Sequence, residues 1–273
     1  MSRQARSYLF VPGNRPERFD KAAHSAADRI VLDLEDAVDA QSKGQAREEI
    51  QAWATRQQPG VLDRVAVRIN DVQSVDFGDD LQLLRESGLR QVMLPKVEHE
   101  NQVAQLLSAL PDACVLPLVE SARGIEACRG IAAAPGVLRL VFGTLDYALD
   151  LGLDIDDDPG PLGEAAAHIV LASRLAGLAP PVAGVTPQLQ DEGRLSSDWS
   201  WFRRRGFGAK LCIHPRQIEP VHAAAAPDAA AVEWARRVVA ADAIGTGVAS
   251  VDGRMVDRPV VLQALRVLRR AGL

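Results

Sequence analysis

The sequence predicts an α/β fold: a (β/α)8 barrel of the TIM type over residues 1–226, followed by a C-terminal helix-hairpin-helix extension over residues 227–273. Three observations predict it. Short apolar runs, each followed by a polar or glycine-containing turn and then by a longer stretch of helical periodicity, recur along most of the chain. Eight such runs can be counted, which favours a closed parallel barrel over an open sheet. The pattern then changes in kind after the eighth run, so the remaining segment has no place in the ring and must pack outside it.

The predicted strands in order are "SYLFVP" from Ser7, "RIVLDLE" from Arg29, "RVAVRIN" from Arg64, "QVMLPK" from Gln91, "CVLPLVE" from Cys114, "LRLVFG" from Leu138, "PVAGVT" from Pro181 and "KLCIHP" from Lys210. Between them, segments such as "RPERFDKAAHSAA", "SKGQAREEIQAWA", "DLQLLRESG", "ENQVAQLLSAL", "GIEACRGIAAA" and "GEAAAHIVLASRLAG" read as helices. Pro16 suits a first helical turn, and Gly88 and Gly177 fall where C-terminal caps are expected. In the tail, "PDAAAVEWARRVVAADAIG" reads as a helix, "GVASVDGRMVD" as a hairpin turning at Asp252 and Gly253, and "RPVVLQALRVLRRAG" as a last helix. A lid or a subunit contact follows from that arrangement.

With 273 residues, 47% of them hydrophobic, the chain can bury a large core. A net charge of -5, with Lys and Arg scattered, provides no basic field for a nucleic-acid backbone. No apolar run reaches membrane-spanning length and the N-terminal run is too short for a signal-peptide core, so a cytoplasmic protein without membrane contact is expected. Cys114, Cys128 and Cys212 stand singly, as reduced core thiols. His24, His99, His168 and His222 fall on predicted helices or helix starts and form no metal cluster.

Chemistry in such a barrel gathers at the C-terminal ends of the strands. There the sequence places Asp33, Glu35 and Asp36, Arg68 and Asn70, Lys96, Glu120, Asp146 and His214. Carboxylates at this density need compensating cations. Glu120 and Asp146, with small neighbours Ser121, Ala122, Gly124, Gly143 and Thr144, suit a hard oxygen-ligated ion such as Mg²⁺. The alternative for each is a helix cap. Arg68 offers a planar fork to a substrate carboxylate, or an ion pair to Glu35 or Asp36, and both can hold at once. "VPGNRPERFDK" brings Arg15, Arg18 and Lys21 to a helix N-terminus, either as a phosphate site or as a solvated basic face. His214 is open between ligand contact and a structural hydrogen bond.

The ordered set "LFVPGNRPERFDKA", "VLDLEDAV", "VRIN", "LPKVE", "LPLVESARGI", "FGTLDYALDLG", "KLCIHPRQI" and "DGRMVDRP" resembles the citrate lyase beta-subunit-like proteins, the group containing malyl-CoA and citramalyl-CoA lyases, over nearly the full length. The resemblance implies Mg²⁺ held by Glu120 and Asp146, with Leu145 of the same "TLDY" motif, Glu35 and Asp36 beside the substrate. It implies that Arg68 holds the carboxylate of a keto or hydroxy acid. It implies coenzyme A contacts at Phe10, Arg15, Lys21, Ile213 and His214, and an acid-base aspartate at Asp257 that reaches a neighbouring subunit of a trimer. Asp257 alone would read as an ordinary N-cap. The chain departs from the group at Ala183 in "PPVAGVTP", where members often carry aspartate; the exchange is expected to bear on the acyl-group pocket.

The expected activity is reversible carbon-carbon cleavage of a 3-hydroxyacyl-CoA thioester of malyl, citramalyl or citryl type, giving a 2-oxo acid and an acyl-CoA. Asp257 would exchange the enolate proton, while Glu35 and Asp36 position Arg68 and metal-bound water. Three rivals stand beside it: a citrate lyase beta subunit acting on an acyl-carrier-protein thioester, a metal-dependent pyruvate aldolase, and a non-catalytic acyl-CoA-binding paralogue.

Overall fold

The computed structural model describes residues 4–244 and 249–273. Eight parallel strands form a closed barrel: β1 (Ser7–Pro12), β2 (Arg29–Asp33), β3 (Val65–Arg68), β4 (Gln91–Leu94), β5 (Cys114–Val119), β6 (Val141–Phe142), β7 (Val182–Ala183) and β8 (Ala209–Cys212). The ring closes where β8 pairs with β1, Tyr8 opposite Leu211. Around it run α1 (Phe19–Ala23), α2 (Lys43–Ala54), α3 (Pro59–Leu62), α4 (Phe77–Ser87), α5 (Glu100–Ala109), α6 (Ala122–Ala133), α7 (Thr144–Leu151), α8 (Gly163–Leu175), α9 (Glu192–Arg204) and α10 (Ile218–Ala225). The sequence reading did not name α3, α7 or α9 as helices. The segment that forms α9 buries Trp199, Trp201 and Phe202 among serines and arginines, which conceals its apolar face.

The barrel is solid. Its interior is packed by Tyr8, Val31, Ala66, Met93, Leu116, Leu118, Val141, Val182, Ala209 and Leu211, which fixes the parity of every strand because successive side chains alternate faces. Burial of a residue such as Leu116 or Leu118 contributes roughly 1.5–3 kcal/mol. The outward parity packs against the helices, so the strands are apolar on both sides, as parallel strands covered by helices must be. Helix ends follow local chemistry. His99 caps α5 and Gln102 reciprocates, while Gly88 stops α4 at φ 74°.

Parity corrects one expectation. Val182 faces the barrel interior, so Ala183 points outward, opposite Lys210 in the register and away from the pocket side of the strand. The Ala183 exchange therefore does not alter the wall of an acyl pocket. It leaves the fully buried Lys210 with the carbonyl of Gly184, 2.8 Å away, as hydrogen-bond acceptor for its ammonium. Burial pushes the Lys210 amine down to about 8.

The chain divides into two compact units, one ending at Val221 and the next beginning at His222, within α10. The predicted boundary at 226/227 lies just past that helix. In the second unit, α11 (Ala229–Ile244) packs on α12 (Arg258–Arg270) through Ala235, Val238, Val261 and Ala264. An antiparallel hairpin joins them, β9 (Ala249–Val251) to β10 (Arg254–Val256). The tight turn has Asp252 and Gly253 at φ 53° and 74°, the left-handed pair that a two-residue hairpin requires. Gly247 and Val248, the first residues of the predicted hairpin, lie outside the described residues. No helix among the described residues is long and apolar enough to cross a membrane.

Candidate active site

The site is the interior column of the barrel continued one step further. Two residues beyond each core position the same parity brings Val31 to Asp33, Ala66 to Arg68, Leu118 to Glu120, Val141 to Gly143, Val182 to Gly184 and Leu211 to Ile213. All six end positions line one cavity of about 400 Å³ at the C-terminal mouth, with Phe10, Pro12, Asp36, Leu145 and Asp146 among the other lining residues. The apolar core thus becomes a polar floor without any break in the strands. Glycine is required at 143 and 184, because a Cβ there would run into Glu120 Oε2 and Thr144 Oγ1.

Arg68 is the hub. Its Nε and Nη2 grip Asp33 at 2.7 and 2.6 Å, its Nη1 meets Glu35 at 2.7 Å and Asp36 at 3.4 Å, and its guanidinium lies 4.9 Å from the Phe10 ring centre. Burial opposes its charge, but Asp33, Glu35 and Asp36 outweigh that and raise its pKa further. The expected ion pairs to Glu35 and Asp36 are present. Asp33, placed by the sequence at a strand end but given no role of its own there, is the closest partner; counting parity from Val31 was the signal that could have singled it out. Because Asp33 occupies the Nε–Nη2 edge, a ligand carboxylate has the Nη1–Nη2 end, where Asp36 is the longest and most exposed partner.

Glu120 is only 4% exposed. Burial, with Asp146 nearby, pushes its carboxyl up to about 8, even though its Oε1 accepts the backbone N–H of Lys96 at 2.7 Å. Lys96 itself takes φ 53°, a left-handed conformation that costs a non-glycine residue on the order of 1–2 kcal/mol. Its ammonium lies 2.8 Å from Glu35. Glu35 is also raised by burial, against the pull of Arg68 and Lys96.

A relay, buried at Asn70 and Asp80 and partly buried at Lys43 and Arg47, braces this arrangement. Lys43 Nζ donates to the carbonyls of Leu34 and Glu35 at 2.7 and 3.1 Å and to Asn70 Oδ1 at 2.5 Å. Asn70 donates through its backbone and side chain to Asp80, both at 2.7 Å, and Asp80 accepts from Arg47. Nothing in the local sequence around Lys43 signalled this contact, which spans twenty-seven positions to Asn70.

The remaining predicted residues divide. Phe10 and Ile213 line the cavity, whereas Arg15 and Lys21 are exposed outside its lining, Arg15 paired with Glu17 at 2.7 Å. His214 makes a structural hydrogen bond, its Nδ1 accepting the Arg216 N–H at 3.1 Å to cap the next turn. Asp257, in the second unit, caps α12 by accepting the Val260 N–H at 3.1 Å. Among the described residues no group of three or more His, Cys, Asp or Glu side chains has the geometry of a metal cage. A cation held by Glu120 and Asp146 would complete its shell with water and substrate, which is the way Mg²⁺ is commonly bound.

Comparison with known proteins agrees with this architecture. A citrate lyase subunit beta-like protein of Mycobacterium tuberculosis is 38% identical over 97% of this chain and 95% of its own. A (3S)-malyl-CoA thioesterase of Cereibacter sphaeroides is 32% identical over 97% and 94%. The structure of CitE from Mycobacterium tuberculosis in complex with magnesium, acetoacetate and coenzyme A superimposes with a TM-score of 0.88, at 35% identity and 98% coverage of both chains. Residues 6–215, which contain all eight strands of the barrel and the whole polar floor at its mouth, match the description HpcH/HpaI aldolase/citrate lyase, and the chain belongs to that family.

Proposed function

We propose that this protein is a Mg²⁺-dependent lyase that cleaves or forms the carbon-carbon bond of a 3-hydroxyacyl-CoA thioester, releasing a 2-oxo acid and an acyl-CoA. One observation carries the reading: the inward parity of β3 and β5 brings Arg68 and Glu120 into the same cavity as Asp146. The donor set fits the ion. Two carboxylates share the mouth, Asp146 exposed and Glu120 buried, the latter held protonated by burial until a cation replaces the proton. When bound, Mg²⁺ supplies Lewis-acid polarisation of the substrate's oxygen, worth several kcal/mol of transition-state stabilisation.

The chain's own residues do the rest. Arg68, locked by Asp33 and resting near Phe10, receives the oxo-acid carboxylate at its free end as Asp36 yields. Glu35 keeps the guanidinium in place from behind. Gly143 and Gly184 keep the floor open beside the scissile bond, and Leu118, Val185 and Leu211 give it an apolar wall. Phe10 and Ile213, with Arg15, Lys21 and the His214 turn, form the approach for coenzyme A. Asp257 is the acid-base group: in its protonated form it gives its proton to the acyl-CoA enolate after cleavage, the proton that the substrate hydroxyl releases balances this one, and in the condensation direction both transfers run in reverse. In a trimer it would serve a neighbouring barrel.

The test is Asp257→Asn. We expect Mg²⁺, oxo-acid and coenzyme A binding to persist while turnover falls by about 10²-fold or more. Mixing this variant with Glu120→Ala should restore activity once subunit exchange is confirmed by mass spectrometry. Full activity in Asp257→Asn would refute the assignment. The malyl-CoA thioesterase relative favours a second reading, in which the acyl-CoA product is also hydrolysed; free thiol release measured beside acyl-CoA release separates the two.

A further inference from the structure

Lys96 and Asp252 are the non-glycine residues among those described that adopt positive φ. Asp252 needs it for a hairpin turn. Lys96 has no such turn: it stands just past β4 at the barrel mouth, in a loop pinned on both sides. Gln102 donates to the Lys96 carbonyl at 3.1 Å and accepts from the Glu98 and His99 N–H groups, and the Val97 N–H donates to Leu118. A left-handed residue over-determined in this way marks a functional constraint. The left-handed turn aims the N–H of Lys96 at Glu120, while its ammonium reaches Glu35 behind Arg68.

We infer that Lys96 is a positioning residue with two separable tasks: its backbone N–H orients Glu120 on the cation side of the site, and its ammonium balances Glu35 on the oxo-acid side. The inference rests on the function proposed above, which names the two sides. The tasks have opposite electrostatic signatures. Loss of the ammonium leaves one Glu35 oxygen without its cation and makes the mouth more negative, which disfavours an anion and does not disfavour a dication. Loss of the left-handed backbone turns the N–H away from Glu120 and disfavours the dication.

Three variants separate them. Lys96→Met removes the charge but keeps an unbranched side chain. Lys96→Gly removes the charge and accepts positive φ freely. Lys96→Ile resembles Met in size, but its branched Cβ resists positive φ. Binding of Mn²⁺ followed by electron paramagnetic resonance, and of glyoxylate by calorimetry on the Mn²⁺-loaded protein, reads each side. We expect Lys96→Met and Lys96→Gly to bind Mn²⁺ at least as tightly as wild type and glyoxylate about tenfold more weakly, and Lys96→Ile to lose a further factor of about ten in Mn²⁺ affinity. Equal Mn²⁺ affinity in the Ile, Met and Gly variants would overturn the backbone task. Unchanged glyoxylate affinity in Lys96→Met would overturn the ammonium task. Should Lys96→Ile not fold, Lys96→Ala against Lys96→Gly asks the same question under less strain, with equal affinities again decisive against it. Wild-type protein that binds no Mn²⁺ would instead overturn the functional reading, and the cation-side task with it.

Discussion

The two ends of the barrel use arginine in opposite ways. At the mouth, Arg68 is held by the carboxylates of Asp33, Glu35 and Asp36. At the other end, Arg139 is 3% exposed and donates to the backbone carbonyls of Ala5 and Pro180, while Arg64 donates to those of Ala23, Ser25 and Ala27. Carbonyl acceptors neutralise no charge. They tie chain segments together, and burial lowers the Arg139 pKa accordingly. Carboxylate acceptors overcompensate: the five carboxyl groups of Asp33, Glu35, Asp36, Glu120 and Asp146 outnumber the two cations Arg68 and Lys96, which leaves the mouth open to a dication. One end is built to close the barrel and the other to hold a ligand, as barrels of this kind divide stability from chemistry.

The sharpest way to break that contrast is at the acids. Glu120→Ala or Asp146→Ala should cost about 10³-fold or more in turnover, several kcal/mol of lost charge stabilisation, with circular dichroism and melting temperature near wild type. Retained Mg²⁺ binding in both variants would remove the cation from this end. The two arginines should then separate cleanly. Arg68→Lys is expected to weaken oxo-acid binding by about 10- to 100-fold with little change in stability, since an ammonium cannot reproduce the fork. Arg139→Met should instead lower stability by about 1–3 kcal/mol in denaturant titration, because it strands two partly buried carbonyls, while turnover per folded molecule is unchanged. An activity defect in folded Arg139→Met would contradict the division.

The pH dependence sharpens it further. Glu120, raised to about 8, is protonated in the metal-free fold below that value, whereas the unfolded chain releases the proton near 4.5. Stability of the metal-free protein should therefore fall as pH rises from 4.5 toward 8. Mg²⁺ binding below pH 8 should release close to one proton, its affinity climbing about tenfold per pH unit and levelling above 8; calorimetry in buffers of different ionisation heat measures this. The smallest effect concerns Lys210, outside both ends. Its amine, lowered from 10.5 to about 8, disfavours the fold as pH drops through that window. Lys210→Met should add about 1–3 kcal/mol of stability below pH 8, an advantage that fades by pH 10.5.

The barrel and its polar mouth were legible because two periods coincide: runs of strand length ending in charge, repeated eight times. Arg68, Glu120 and Asp146 followed from where those runs end. What the runs hid was parity. Asp33 looked like one acid in a cluster until Val31 was known to face inward, and Ala183 looked like part of a pocket until Val182 was. Lys43 was illegible for another reason, since its partner Asn70 is brought to it by a turn of the whole β-α-β unit and no local pattern encodes that meeting. Lys96 carried its message in a backbone angle, which residue type does not disclose.

The links of the ring are unequal. Register pairs join β1 to β2 at five positions from Tyr8 to Pro12, but β6 to β7 at Val141 and Val182 alone. Arg68 and its acids hang from the heavily stitched arc, while Gly143 and Gly184 flank the thin seam. Thermal opening of such a ring begins where the fewest ladder bonds must break. The wall at Gly143 and Gly184 can therefore breathe on a faster clock than the wall that carries Arg68, so that this side of the mouth widens without loosening the ion pairs of the other.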